Sequence, residues 1–225
     1  MIGRLSRARL AVVISGRGRN LQALIEATRD GRIPAELTAV VSNRAEAAGL
    51  AYAREAKVPI VIVAHPGFAD RVSFDAALAA ALRAQAPDIV ALAGFMRILG
   101  DDFVREFEGR MLNIHPSLLP KYRGLNTHAR ALTAGDAEHG ATVHFVTPRL
   151  DGGPRVIQGR FIVGAQDSAM TLAERALDEV ELKIYPQAVA WMARRELRLE
   201  QGVARFRDRP LIEPLTLQDL EPAFR

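Results

Sequence analysis

Short apolar runs rich in β-branched residues recur along the first half of the chain, each separated from the next by a stretch of helical character. Arg9 to Ser15 reads as a buried strand, Leu37 to Ser42 as a second, Ile60 to Val63 as a third and Ile89 to Ala93 as a fourth. Between them Leu21 to Asp30, closed by Gly31, Ala45 to Ala56 and Arg71 to Gln85 read as helices. Alternation of this kind marks βαβ units, whose crossovers make neighbouring strands run parallel. The run Ile89-Val90-Ala91-Leu92-Ala93 has no polar face, as expected of a central strand covered by helices on both sides. The expected fold class is therefore α/β, an open, mostly parallel twisted sheet with helices on both faces. No Pro/Gly/Ser-rich linker or charge block divides the 225 residues, so 1–225 are read as one domain.

A short helix near Asp101 to Phe107 leads into a fifth strand, Met111 to His115. The second half changes character. Ala141 to Thr147 and Val156 to Val163 read as longer strands around an Asp151-Gly152-Gly153 loop, an antiparallel extension of the sheet. A long helix is expected to begin near Thr171, where Thr171 and Glu174 have capping-box spacing, and to kink at Pro186 on its way to Arg194. Residues 195–225, with Pro210, Pro214 and Pro222, read as a loosely structured tail, and residues 1–8, with Arg4 and Arg7, as a solvated leader.

The absence of cysteine excludes disulfides, a thiolate nucleophile and a Cys-based zinc site. The net charge of +4 is scattered, with no basic stripe interleaved with aromatics, so no nucleic-acid partner is expected. Leu10 to Ile14 is too short to span a membrane or serve as a signal segment, which makes the cytoplasm the expected location and a membrane partner unexpected. No two histidines have metal-ligand spacing, so no metal is expected. His65 and His139 read as exposed loop residues, His128 as the opening of a helical segment near the site, and His144 as either facing a pocket or pairing in the sheet.

The chemistry concentrates between Asn113 and Asp151. On the strand that enters Asn113-Ile114-His115-Pro116-Ser117-Leu118-Leu119-Pro120, Asn113 and His115 are two residues apart and point to one face. Two donors on one face can close around a developing oxyanion, the strongest lever in acyl-type transfer. A carboxylate from another strand end can orient the imidazole and hold it protonated. With no Ser or Cys nucleophile in the set, this points to direct transfer of an activated one-carbon group. The turn Ser15-Gly16-Arg17-Gly18-Arg19-Asn20-Leu21 lies where an open α/β sheet rests a phosphate on a helix N-terminus. It lacks the third glycine of a dinucleotide fingerprint and the Gly-Lys-Ser/Thr of a P-loop, so a monophosphate site and a mere sharp bend fit it equally. The loop Ala93 to Leu99 leaves the central strand at its carboxyl end and suits a flat heterocycle, though taken alone core packing explains it better. Asp151 before Gly-Gly reads on its own as turn chemistry, and its spacing from Asn113 and His115 says nothing about proximity.

Taken together and in this order, these residues resemble the glycinamide ribonucleotide formyltransferases, a family of folate-dependent enzymes of purine synthesis. The resemblance spans Val12 to Pro186 and is most specific at Leu92 to Leu99, Leu112 to Lys121 and His139 to Pro154. It implies a Rossmann-like fold and formyl transfer from 10-formyltetrahydrofolate to the glycyl amine of glycinamide ribonucleotide, by a monomer or homodimer. It assigns Asn113, His115 and Asp151 to catalysis, and Gly18, Arg19, Asn20 and Glu181 to the ribonucleotide. Arg71, Met96, Arg97, Ile98 and Leu99, with Asn113, fall at folate positions. Asp151 would raise the His115 pKa above its free value of roughly 6.5 and assist proton passage. There are two departures: Arg17 and Arg19 replace small or polar residues, and Leu182 follows Glu181 where a histidine is usual. The wider group shares Asn-x-His and Asp, so the trio defines chemistry more than substrate. A methionyl-tRNA formyltransferase is expected to carry a further C-terminal domain and a formyltetrahydrofolate deformylase an N-terminal one. Sugar-nucleotide formyltransferases have no need of the phosphate turn, and a non-catalytic binding module has none of the oxyanion clamp.

Overall fold

The computed structural model describes residues 7–225, so the leader as far as residue 6, including Arg4, lies outside the described residues. A seven-stranded sheet forms the centre: β1 (Ala8–Ile14), β2 (Ala35–Ser42), β3 (Ile60–Ile62), β4 (Ile89–Leu92), β5 (Met111–His115), β6 (Glu138–Phe145) and β7 (Arg155–Ile162). Their order is β3-β2-β1-β4-β5-β6-β7. The first five run parallel, and β6 and β7 extend the sheet antiparallel, as the longer strands of the second half indicated.

Strand polarity follows from burial on two faces. Along β1, Leu10, Val12 and Ile14 belong to one apolar cluster, while Ala11 and Val13 belong to the other. The first cluster is closed by α1 (Arg19–Arg29), α2 (Leu50–Glu55) and α7 (Leu182–Ala193), and the second by α3 (Arg71–Ala84) and α4 (Asp101–Glu106). Every residue of β4 is buried, which accounts for its unbroken apolar run. Chain direction reverses its march across the sheet between β1 and β4, so the carboxyl ends of these strands open the crevice where such sheets take ligands. Fully buried Tyr185 braces the floor of that crevice by donating its hydroxyl toward the carbonyls of Leu92 (2.9 Å) and Leu112 (3.1 Å).

Four local expectations need correction. The second helix starts at Leu50 rather than Ala45, because residues 45–49 form turns that bring Gly49 against Gly16 (Gly49 N–H to Gly16 carbonyl, 2.9 Å). The capping box is Ser168 with Thr171, not Thr171 with Glu174, and α6 (Ala169–Arg175), which packs on α5 (Thr127–Thr133), begins two residues early. Pro186 sits inside α7, and the irregularity appears earlier, as a π-helical segment, Ala176–Glu181. The tail is not loose: β8 (Leu197–Glu200), β9 (Val203–Phe206) and β10 (Arg209–Pro210) form a small antiparallel sheet. Leu215 then exchanges backbone bonds with Val156 and Gln158 of β7, and Leu220 and Phe224 enter the core. The prolines are compatible with this order, since Pro210 lies on an edge strand and Pro222 opens a 3₁₀ turn.

Candidate active site

The ends of β1, β4 and β5 bring the motifs together. The antiparallel register sets Asn113 opposite His144 and His115 opposite Thr142. His144 is buried and donates its Nδ1–H to the Phe145 carbonyl (2.8 Å). Its Nε2 lies 3.2 Å from the Asn113 amide nitrogen. His144 thus pairs in the sheet and also lies beside Asn113 and Asp151.

His115 is buried, with Nε2 donating to the Tyr122 carbonyl (2.9 Å) and Nδ1 at 3.4 Å from Asp151 Oδ2. Asp151 arrives from the β6–β7 loop in the left-handed region (φ 44°) and accepts the Gly124 N–H at 2.8 Å. Its other oxygen lies 3.7 Å from His144 Nε2. Space alone dictates the glycine two residues on, because a Cβ at Gly153 would collide with the Phe145 carbonyl. Burial pushes the Asp151 carboxyl up, but His144, His115 and the Gly124 N–H outweigh it and hold the group below the ordinary carboxylate value. His115 does not follow the expected direction. Desolvation, joined by the fields of His144 and Arg130, lowers its pKa more than Asp151 and the Tyr122 carbonyl raise it, so the free-site value lies below that of an ordinary histidine. Asp151 opposes burial without overcoming it.

The loop that carries His115 is pinned by residues that the sequence reading did not single out. Thr142 Oγ1 donates to the Ser117 carbonyl (2.6 Å) and accepts from the Leu119 N–H (3.1 Å), and Gln158 Nε2 reaches the Leu119 carbonyl (2.7 Å). Only contacts across three strands reveal these roles. His128 and His139 form a second pair, Nδ1 to Nε2 at 2.9 Å. His139 is buried on β6 rather than exposed in a loop, and burial, the first cause, lowers its pKa to about 4. His65, also read as exposed, is half-buried and contacts Asn43.

At the end of β1, Gly18 caps α1 with φ 77°, and a Cβ there would stand 2.5 Å from Gly49 Cα. The bare turn leaves the first N–H groups of α1 without intrahelical partners, a ready seat for an anion. Arg17 is exposed, and Arg19 pairs with Asp178 at 3.3 Å. Asn20 donates Nδ2–H to Glu181 Oε2 at 2.7 Å, joining residues at opposite ends of the sequence, while its own Oδ1 is buried without a partner. Burial raises the Glu181 pKa, and the Asn20 bond pulls it back in part. The π segment is what turns Glu181 and Asp178 to this corner.

At the end of β4 the Met96 N–H reaches back to Ser15 Oγ (3.0 Å), tying this loop to the β1 turn. Met96 and Ile98 are exposed apolar side chains, and Leu99 packs on the second core cluster. Arg97 lies over the Phe74 ring at 5.0 Å, with its Nε buried and unpartnered. Arg71 is exposed at the start of α3. A cavity of about 470 Å³ lies behind the Asp151 loop, between Leu119-Pro120 and the tail at Leu211-Ile212, and includes neither Asn113 nor the Met96 to Leu99 loop. Among the described residues no group of three or more His, Cys, Asp or Glu is placed to hold a metal, and no helix is long and apolar enough to cross a membrane.

A neutral amide, a tunable imidazole and an ionised carboxylate thus meet beside an anion seat and an apolar loop. The formyl transferase family model matches residues 8–189. The Escherichia coli phosphoribosylglycinamide formyltransferase is 46% identical over 195 residues, covering 87% of this chain and 92% of that protein. The human trifunctional purine biosynthetic protein adenosine-3 is 45% identical over 196 residues, which is 87% of this chain and 19% of that longer protein. Among solved structures, the phosphoribosylglycinamide formyltransferase of Coxiella burnetii superposes with a TM-score of 0.88 at 43% identity, covering 94% of this chain and 99% of that one.

Proposed function

This chain belongs to the formyl transferase family, and from that premise we infer that it moves the formyl group of 10-formyltetrahydrofolate to the amine of glycinamide ribonucleotide, a step of purine biosynthesis. The products are formylglycinamide ribonucleotide and tetrahydrofolate. We propose Asn113, His115 and Asp151 as the catalytic groups. The substrate amine attacks the formyl carbon and forms a C–N bond, and the carbonyl electron pair moves onto oxygen. Asn113 donates to that oxyanion through its amide. His115 joins it as imidazolium, because the new negative charge adds to that of Asp151 and tips the balance that burial otherwise wins. Collapse of the intermediate breaks the bond to the folate N10, which takes a proton as the amine gives one up. Asp151 keeps the imidazole aimed and assists that passage.

The observation that carries this reading is the convergence on buried His115 of a carboxylate 3.4 Å away, with Asn113 two residues earlier on the same strand. We assign the ribonucleotide phosphate to the Gly18-Arg19-Asn20 turn, with Glu181 on the same substrate's side. We assign the folate to Met96 to Leu99 with Arg71 and Asn113. Arg97 and Arg71 suit its carboxylates, and the exposed Met96 and Ile98 its flat rings. Residues 1–225 are taken as one formyltransferase domain, and the purine-synthesis role supports a cytoplasmic location. Purified protein with both substrates should yield formylated ribonucleotide and tetrahydrofolate in equal amounts. Loss of the formyl donor without formylated amine would overturn the assignment in favour of a hydrolase.

A further inference from the structure

The loop from Ala93 to Gly100 is tethered at both ends. Its near end is held by the Met96 bond to Ser15, and its far end by Asp75, whose Oδ2 accepts the Gly100 N–H at 2.7 Å. Asp75 sits in an alanine-rich helix that reads as plain core packing, yet it is a buried carboxylate with its second oxygen unpartnered. A buried, half-satisfied carboxylate is costly, and a surface helix has no structural need of one. Its neighbours supply a reason. Arg71, Phe74 and Asp75 share one face of α3 by their spacing, and Arg97 from the loop lies over Phe74 at 5.0 Å. The fields of Arg71 and Arg97 both reach Asp75, where they and the Gly100 N–H oppose the upward push of burial on its carboxyl. Gly100 fits the arrangement because a Cβ there would stand 2.9 Å from Asp75 Oδ2 and 3.9 Å from Arg71 Nε.

We propose that Asp75 is a positioning residue for folate: it fastens the far end of the Met96 to Leu99 loop to α3 and holds Arg71 and Arg97 where the glutamate carboxylates of the folate arrive. The proposal rests on the folate assignment above and adds a residue that touches no reacting atom. Its carboxylate acts as an acceptor for Gly100 and as a local counter-charge that keeps two arginines together before the anion binds.

The test uses full-length protein with Asp75→Ala, Asp75→Asn and Gly100→Ala, kinetics against both substrates, and hydrogen exchange at the Gly100 amide. Asp75→Ala should raise the KM for 10-formyltetrahydrofolate about tenfold, the scale for losing a hydrogen bond to a charged group. The KM for the ribonucleotide and kcat should stay within about twofold of the parent, and the Gly100 amide should exchange faster. Asp75→Asn, which keeps an acceptor but not the charge, should restore Gly100 protection and part of the folate KM. Gly100→Ala leaves the buried carboxylate in place but pushes the tether apart, and should reproduce the selective folate defect should Asp75→Ala fold poorly. Equal rises in both KM values, a fall in kcat at unchanged folate KM, or an Asn variant no better than Ala would overturn the proposal. Exchange at Gly100 and calorimetric binding of tetrahydrofolate need no turnover. A parent protein without transfer activity would therefore count against the function while the tether was still judged.

Discussion

Gly153→Ala probes how tightly the fold aims Asp151. A methyl group at Gly153 would stand about 1 Å inside the 3.0 Å limit that real Cβ atoms keep, against the carbonyl oxygen of Phe145. Phe145 is core, and its own N–H bonds the Pro154 carbonyl at 3.0 Å, so the strand cannot yield and the loop must. That relief acts two residues from Asp151, whose 3.4 Å contact with His115 and 2.8 Å bond from Gly124 leave no slack for a movement of this size. Misplacing a catalytic group by about 1 Å costs on the order of 100-fold in rate. The strain on stability is about 1–3 kcal/mol, so the variant should still fold. Steady-state kcat of Gly153→Ala, alone and combined with Asp151→Asn, gives the answer. If both act through the same carboxylate, their losses will not add. Near-parental turnover of a folded Gly153→Ala protein, or full additivity with Asp151→Asn, would refute the reasoning.

Three further outcomes are expected. Asp151→Asn removes the charge that opposes burial at His115, so the imidazolium is lost at lower pH, and the alkaline limb of the pH–rate profile should move to lower pH and fall in height; an unchanged profile would reduce Asp151 to a turn residue. His139, held neutral to about pH 4 in the fold against roughly 6.5 unfolded, leaves the unfolded chain binding more protons between those values, so stability should decline as pH falls through that window. Melting curves of His139→Gln should lose that part of the slope, and an unaltered slope would exclude it. Arg19→Ala should weaken ribonucleotide binding roughly three- to tenfold at low salt and flatten its salt dependence while sparing folate; calorimetry with equal loss for both ligands would remove Arg19 from the site.

The parallel half of the sheet is legible because each strand there is a compact apolar run between helices, and β4 shows its two-sided burial in four consecutive apolar residues. The tail is not, since its strands are short and Pro210 and Pro222 occupy an edge strand and a 3₁₀ turn that tolerate them. Asn113 and His115 could be paired from strand periodicity alone. Asp151 could not, because two antiparallel strands fold it back on His115. Asn20 and Glu181, 161 residues apart, meet only through the α1–α7 packing and the π segment. His139 reads as a loop residue because the strand is expected from Ala141, whereas β6 begins at Glu138 and runs through Gly140. That glycine allows β7 to approach, as a Cβ there would strike the Gly159 carbonyl. The direction at His115 was missed for a related reason: sequence names the neighbouring charge but not the depth of burial that outweighs it.

The most direct test of the proposed site is kcat of Asn113→Ala with both substrates saturating, in protein whose folding matches the parent. Asn113 donates to the oxyanion and also contacts the folate, so its loss should lower kcat on the order of 100- to 1,000-fold, with a much smaller rise in the folate KM and little change in the ribonucleotide KM. Turnover close to that of the parent would contradict an oxyanion clamp built on Asn113 and His115.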